Sequence, residues 1–481
     1  MAGVGFALRR LAERGDLLGV VQAYAHSAAA STGPWLFTIL CLAALTVEAL
    51  PVVGSEGVTL FRAIVTYNFA FSLVFSGGLV RVVTRCLADQ IYERRADQAP
   101  GMLLGSLITI CLIQVPIAVP FYLFVVDLTP TLTVHGLTNY FLVTGLWLVG
   151  VFLTALRVYI VISVSFVFGL ALALGLALLG GRWAGVEGML IGFNCGLGAI
   201  LFLLVARIFA EYPYPSVNMF GFLRTFRPYW SLAMAGFFYN VAIWIDKWVM
   251  WLAPDRERLP SGFVHNGTYD SAMFLAYLSI VPSMAVFLLH LETRFYQKYL
   301  RFYREIENHA TYDRIAEDHR SLVGELIGGL RNLIVIQATI TLLCIILAPR
   351  IFEMLGISYI QLGIFRFGVL GAFFHVLFLC LTIILSYFEL RNQVLWLTVF
   401  FLGTNAIFTW LSLQHGFSYY GYGYFASALL TFLIGALVTF RELGRIPYHT
   451  FITQPPTARA APEDDGVAAP ARLREEPAGT R

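Results

Sequence analysis

The chain has 481 residues, 58% hydrophobic and 13% charged, with a net charge of +3 and a mean hydropathy of +0.75. Soluble domains carry about 25% charged residues, so a string of ordinary soluble domains is excluded. The charge is too small to imply nucleic acid as a partner. The six cysteines all lie in apolar blocks without a C-x-x-C pair, which gives neither a disulfide framework nor a metal site.

The apolar residues come in blocks of about 20, enough to cross a hydrocarbon core of ~30 Å as helices. They lack the period-2 alternation of membrane barrel strands. An all-α polytopic membrane protein follows, with twelve predicted spans. In the first half these lie near 18–49, 58–86, 102–127, 136–156, 158–180 and 187–209. In the second they lie near 228–252, 269–290, 326–347, 363–388, 392–413 and 421–440. Ahead of them, 1–17 reads as an amphipathic cytoplasmic segment carrying Arg9, Arg10 and Arg14. The apolar run 17–25 is short and interrupted by Gln22 and Tyr24, which favours an uncleaved first membrane helix. Gly33-Pro34 should bend or break that helix, and only Arg157 separates the fourth and fifth spans.

The polar linker 210–227 divides the spans into two six-helix halves, 18–209 and 228–445, a flippase-like arrangement by analogy with transporters. Basic residues concentrate after even-numbered spans (Arg94, Arg95, Arg157, Arg224, Arg227, Arg391, Arg441, Arg445), placing both termini in the cytoplasm. Arg182, Arg256, Arg258 and Arg350 depart from that bias. The stretch 291–325 has six basic and seven acidic residues, with Phe295, Tyr299, Phe302, Tyr303 and Ile306 interleaved. It fits a cytoplasmic helical extension of the eighth span, either solvated or docking a partner through Glu292, Arg294, Tyr299 and Arg301. The tail 446–481, rich in Ala, Pro, Glu and Arg beyond Gln454, is expected to be disordered and cytoplasmic.

Ionisable residues inside a bilayer cost about 2.5–3.5 kcal/mol on insertion scales, so they mark candidate sites. The densest set is in the seventh span. Asn240, Trp244, Lys247, Trp248 and Trp251 fall on one helical stripe, with Asp246 beside it near Tyr239. Adjacent helical residues do not face each other, so Asp246 and Lys247 are expected to pair with other helices. Indole faces stack on the C–H faces of sugars, which suits a substrate path. Trp248 and Trp251 also fit plain interfacial anchors. Further path candidates are Arg62, Asn68, Arg366 and His375. Arg62 and Arg366 lie where snorkelling explains a cation, and His375 fits a satisfied packing residue. No Walker A loop, G-x-S-x-G or H-E-x-x-H is present, no cofactor is implied, and the chain does not read as an enzyme.

Several motifs together resemble the PelG family, inner-membrane transporters of the Pel exopolysaccharide system. They are the opening Met1-Ala-Gly-Val-Gly-Phe-Ala-Leu-Arg-Arg10, Gln22-Ala-Tyr-Ala25, Ser31-Thr-Gly-Pro-Trp35 and Tyr239-Asn-x-x-x-Trp-x-Asp-Lys-Trp248. Glu292-Thr-Arg-Phe-Tyr296, Tyr299-Leu-Arg-Phe-Tyr303, Tyr387-Phe-Glu-Leu-Arg391 and Tyr448-His-Thr-Phe-Ile-Thr-Gln-Pro455 continue the match over about 1–455. Glu389 and Ala7 depart from it, each where an acidic residue of another kind or any acidic residue is the family expectation. The resemblance implies a twelve-helix flippase-like fold of the multidrug/oligosaccharidyl-lipid/polysaccharide superfamily in the bacterial cytoplasmic membrane. It implies export of an N-acetylhexosamine-rich polymer for biofilm matrix. The implied partners are a cytoplasmic glycosyltransferase, a cyclic-di-GMP-receptor membrane protein and a small tetratricopeptide-containing membrane protein. The alternatives are a cation-coupled small-molecule antiporter, a membrane-embedded glycosyltransferase (offering only Glu56 and Glu48 near an early outer loop) and a non-transporting scaffold.

Overall fold

The computed structural model describes residues 36–93, 95–155 and 159–448. The first helices are α1 (Leu36–Glu48), α2 (Leu50–Tyr92), α3 (Ala99–Pro120), α4 (Pro130–Ala155) and α5 (Tyr159–Glu211). After the linker come α6 (Trp230–Ala242), α7 (Ile245–Met250), α8 (Gly267–Leu278) and α9 (Val281–His290). The chain closes with α10 (Tyr296–Glu307), α11 (Tyr312–Leu355), α12 (Leu362–Tyr387), α13 (Arg391–Gln414) and α14 (Tyr422–Leu443). A helix satisfies its own backbone polar groups, which hydrocarbon cannot do, and that is why apolar blocks of this length become helices.

Among the described residues, nine helices are long and apolar enough to cross a membrane. Three departures separate that number from the twelve spans expected. Part of the first span, with Gly33-Pro34, lies outside the described residues, as do Arg157 and the tail beyond Tyr448. The fifth and sixth spans form one run, α5, with non-helical backbone at Ala184 (φ −137°) and Gly185 (φ 59°). The seventh is split between α6 and α7. A similar break at Gly54 (φ 74°, ψ 172°) lies inside α2, where glycine alone adopts the turn without strain.

At the Gly185 break the chain folds back on itself. Gly188, Gly192 and Gly196 lie against Gly180, Leu176–Ala177 and Ala173, so closely that a Cβ at Gly192 would overlap the Leu176 backbone. Small residues spaced four apart let membrane helices approach to backbone contact.

The buried apolar residues form two clusters. One gathers residues from Cys41 to Phe222 and takes in Trp251 and Phe263; the other runs from Ala235 to Ile446. α6 lies between α2 of the first set and α13 of the second. A two-residue antiparallel hairpin, β1 (Glu257–Arg258) and β2 (Val264–His265), caps one end of the bundle. The opposite end carries the charged extension.

That extension differs from the single helix expected over 291–325. A π-turn (Leu291–Phe295) leads into α10, which stops at Glu307, and α11 already begins at Tyr312. The aromatic face is buried internally. Phe295 packs edge-on to Tyr387 at 5.3 Å, Phe302 is fully buried, and Tyr299 donates its hydroxyl hydrogen to the Tyr387 carbonyl at 3.3 Å. Ion pairs Arg301–Asp318 (3.0 Å), Lys298–Glu325 (3.2 Å) and Arg314–Glu305 (3.2 Å) fasten α10 to α11.

Candidate substrate path and the seam between the halves

α6 ends at Ala242, and Ile243 and Trp244 separate it from α7. The break corrects the continuous stripe expected for this segment, because it turns the residues to different sides. Asn240 Nδ2 donates to the Leu73 carbonyl of α2 at 2.8 Å. Trp248 stacks on Phe71 (5.1 Å between centroids, 12° between planes), and Trp251 stacks on Tyr67 (4.7 Å, 13°). Lys247 turns the other way, with Nζ 4.6 Å from the centroid of the Tyr277 ring in α8 and 5.9 Å from that of Trp244. Cation–π contacts of this kind contribute most when desolvated.

Asp246 and Lys247 also differ from expectation, since they pair with each other. Lys247 Nζ lies 3.1 and 3.0 Å from the two carboxylate oxygens of Asp246. The break is the reason. Nζ donates to the Ile243 carbonyl at 3.2 Å, and the long stem folded back over that turn meets the neighbouring carboxylate. One group from another helix joins them, as Tyr269 donates its hydroxyl hydrogen to Asp246 at 3.1 Å. Asp246 is fully buried and Lys247 is 8% exposed. A buried pair offsets its desolvation only when further hydrogen bonds complete it, and here they come from Tyr269 and Ile243.

The remaining candidates separate into groups. Tyr239 meets His375 Nε2 at 3.1 Å, and His375 Nδ1 meets the Tyr424 hydroxyl at 2.8 Å, so both ring nitrogens have partners. Asn68 lies inside the first half in a buried ladder. Tyr122 donates to it at 2.8 Å, it donates to Asn139 at 2.9 Å, and Asn139 donates to Asn194 at 2.8 Å. Arg62 is exposed, whereas Arg366 is half-buried, its Nε without a hydrogen-bond partner among the described residues. Arg294 is exposed, Arg301 is 63% exposed though paired, and the side chain of Glu292 lies outside the description.

Sequence reasoning missed a ring of charged and aromatic residues at the extension end of the seam. Arg85 bridges Asp89 (3.1 Å) on its own helix and Glu389 (2.6 Å) from the other half. Glu389 continues to Arg391 (2.9 Å), whose guanidinium lies 4.1 Å from the centroid of the Tyr229 ring. Tyr229 closes the ring by donating to Asp89 at 3.3 Å. The i, i+4 spacing of Arg85 and Asp89 was legible; their partners were not. Asp270 was missed as well. It accepts from Trp251 Nε1 at 2.9 Å and from the Asn266 backbone at 3.3 Å.

The seam is thus sealed by aromatic stacks near the hairpin and by ion pairs near the extension. Against this geometry, the profile of the family described as "PelG: Putative exopolysaccharide Exporter (EPS-E)" matches residues 1–451. The chain belongs to the PelG family. No curated protein matches it. Among solved structures, an outward-facing multidrug resistance MATE transporter of the MOP superfamily is similar at 13% identity and TM-score 0.59, over 88% of this chain and 96% of that one. A MOP superfamily transporter from Pyrococcus furiosus gives 13% identity and TM-score 0.60, over 88% and 96%. An inward-facing MATE transporter gives 15% and 0.55, over 84% and 95%. At such identities the likeness shows the fold alone, a multi-pass helical membrane architecture shared with those proteins.

Proposed function

We propose that this chain moves an N-acetylhexosamine-rich, Pel-like exopolysaccharide across the bacterial cytoplasmic membrane. In this reading the extension end and both termini are cytoplasmic, and a cytoplasmic glycosyltransferase supplies the polymer for biofilm matrix. Family membership supports the polysaccharide cargo. The observation that carries the mechanism is the seam itself: α2 meets Trp248 and Trp251 through aromatic stacks at one end and the α12–α13 turn through the Arg85–Glu389 ion pair at the other, two closures of different chemistry. Ion pairs of half-exposed side chains contribute little each, about 0–1 kcal/mol, so the inner closure opens at low cost. The aromatic faces of Tyr67, Phe71, Trp248 and Trp251 exchange one another for the C–H faces of sugar rings when the halves part. The Asp246–Lys247 pair, beside Tyr269 and Tyr277, supplies fixed charge next to that surface.

The test is export by cells whose own copy is replaced with W248A or W251A, scored as secreted hexosamine against protein in the membrane. Loss of polymer with normal protein supports the path. Undiminished polymer from both variants removes these rings from it.

A further inference from the structure

Residues 387–391 join α12 to α13, and they face two ways. On one side Tyr387 and Phe388 lie against the charged extension. Phe295 packs edge-on to both rings, at 5.3 and 6.3 Å between centroids, and Tyr299 meets them at 5.8 and 5.9 Å. Tyr299 also donates its hydroxyl hydrogen to the Tyr387 carbonyl at 3.3 Å. On the other side Glu389 holds Arg85 of α2 at 2.6 Å, and the Arg391 guanidinium covers the Tyr229 ring at 4.1 Å. The chain changes sides at Glu389, whose φ of 56° puts a non-glycine residue in the left-handed region. Phe388 and Leu390 on either side of it are buried, and close packing leaves the turn little room to absorb a shift of its neighbours. α10 is fastened to α11 by the Arg301–Asp318 and Lys298–Glu325 pairs, so the extension reaches the turn as one body.

We propose that the extension sets the inner closure: Phe295 and Tyr299 are positioning residues that hold Glu389 on Arg85, and drawing α10 off the turn releases that contact. This rests on the export reading above, in which the closure opens, and names what controls it. The two states are the Arg85–Glu389 contact made and broken. The extension biases them because the backbone it fixes at Tyr387 and Phe388 carries Glu389 two residues on. The closure is weak enough to be moved. Its pairs are half-exposed, and each is comparable to the single hydrogen bond that Tyr299 makes. The gate is thereby worked from outside the membrane-spanning helices.

The experiment uses the full chain in nanodiscs with Cys86 as its single cysteine. It reads maleimide labelling of Cys86, which is buried beside Arg85, together with the melting temperature. Y299F removes only the bond to the Tyr387 carbonyl, and Y299A removes the ring contacts as well. Labelling is expected to be faster than wild type by a few-fold in Y299F and by more in Y299A, up to the rate of E389A. The Y299A/E389A double variant is expected to label no faster than E389A alone, because Tyr299 acts through Glu389. Unchanged labelling in both tyrosine variants overturns the proposal. So do effects of Y299A and E389A that multiply, the result expected of a tyrosine that only stabilises the fold. If Y299A does not fold, Y299F and its combination with E389A decide in the same way. Secreted polymer from the same variants separates this proposal from the export reading. Fast, non-additive labelling with normal export leaves the coupling standing and removes the closure from the export cycle; unchanged labelling with lost export overturns the coupling alone.

Discussion

Arg85 of the first half and Glu389 of the second meet at 2.6 Å, and this contact closes one end of the seam. Glu389 has a positive φ of 56°, a conformation that costs a non-glycine residue energy and persists only when its surroundings enforce it. The Arg85–Glu389–Arg391 chain supplies that enforcement.

Opening this closure exposes a natural reporter. Cys86 is buried beside Arg85 and accepts a bond from Thr225 at 3.7 Å. In a variant retaining only Cys86, E389A is expected to speed maleimide labelling several-fold while changing stability by less than about 1 kcal/mol, since both charges are half-exposed. Unchanged labelling would show that the ring does not hold the end shut.

The buried pair behaves differently. K247A leaves Asp246 charged and buried, with an expected loss of about 3–5 kcal/mol, whereas D246L/K247M removes both charges and restores much of it. Thermal unfolding of the purified variants reads this non-additivity. If the single and double variants lose stability additively, the two side chains do not form one unit. Export is expected to fail in all of them, separating stability from transport.

The asparagine ladder is expected to be structural. N139A strands the amides of Asn68 and Asn194 at a cost of roughly 1 kcal/mol per lost bond, with export retained in proportion to protein level. Loss of polymer at normal protein level would move the ladder into the path.

At the hairpin, burial lowers the pKa of His265, opposed by Glu257 and reinforced by Arg62. Folding therefore favours neutral imidazole. The stabilisation is complete above the ordinary histidine value of 6.5 and is lost as pH falls through the lowered folded value. The melting temperature is expected to drop between neutral and acidic pH, and to drop less in H265N. Equal pH profiles for the two proteins would rule out this histidine as the cause.

The apolar blocks themselves determined that this protein is a helical membrane bundle, because length and continuous hydrophobicity leave the backbone no other way to bond in lipid. The family motifs, read in order, carried the cargo class. Tertiary structure alone decided which polar residues share a surface. A two-residue interruption at Ile243 and Trp244 turned Lys247 away from Trp248 and onto Asp246. Tyr229 looked ordinary in sequence, since its partners Asp89 and Arg391 lie more than a hundred residues away. Helical periodicity predicts faces only while the helix is unbroken. Here the break and the packing of the two halves, both set by distant contacts, assigned each side chain to a stack, a ladder or an ion pair.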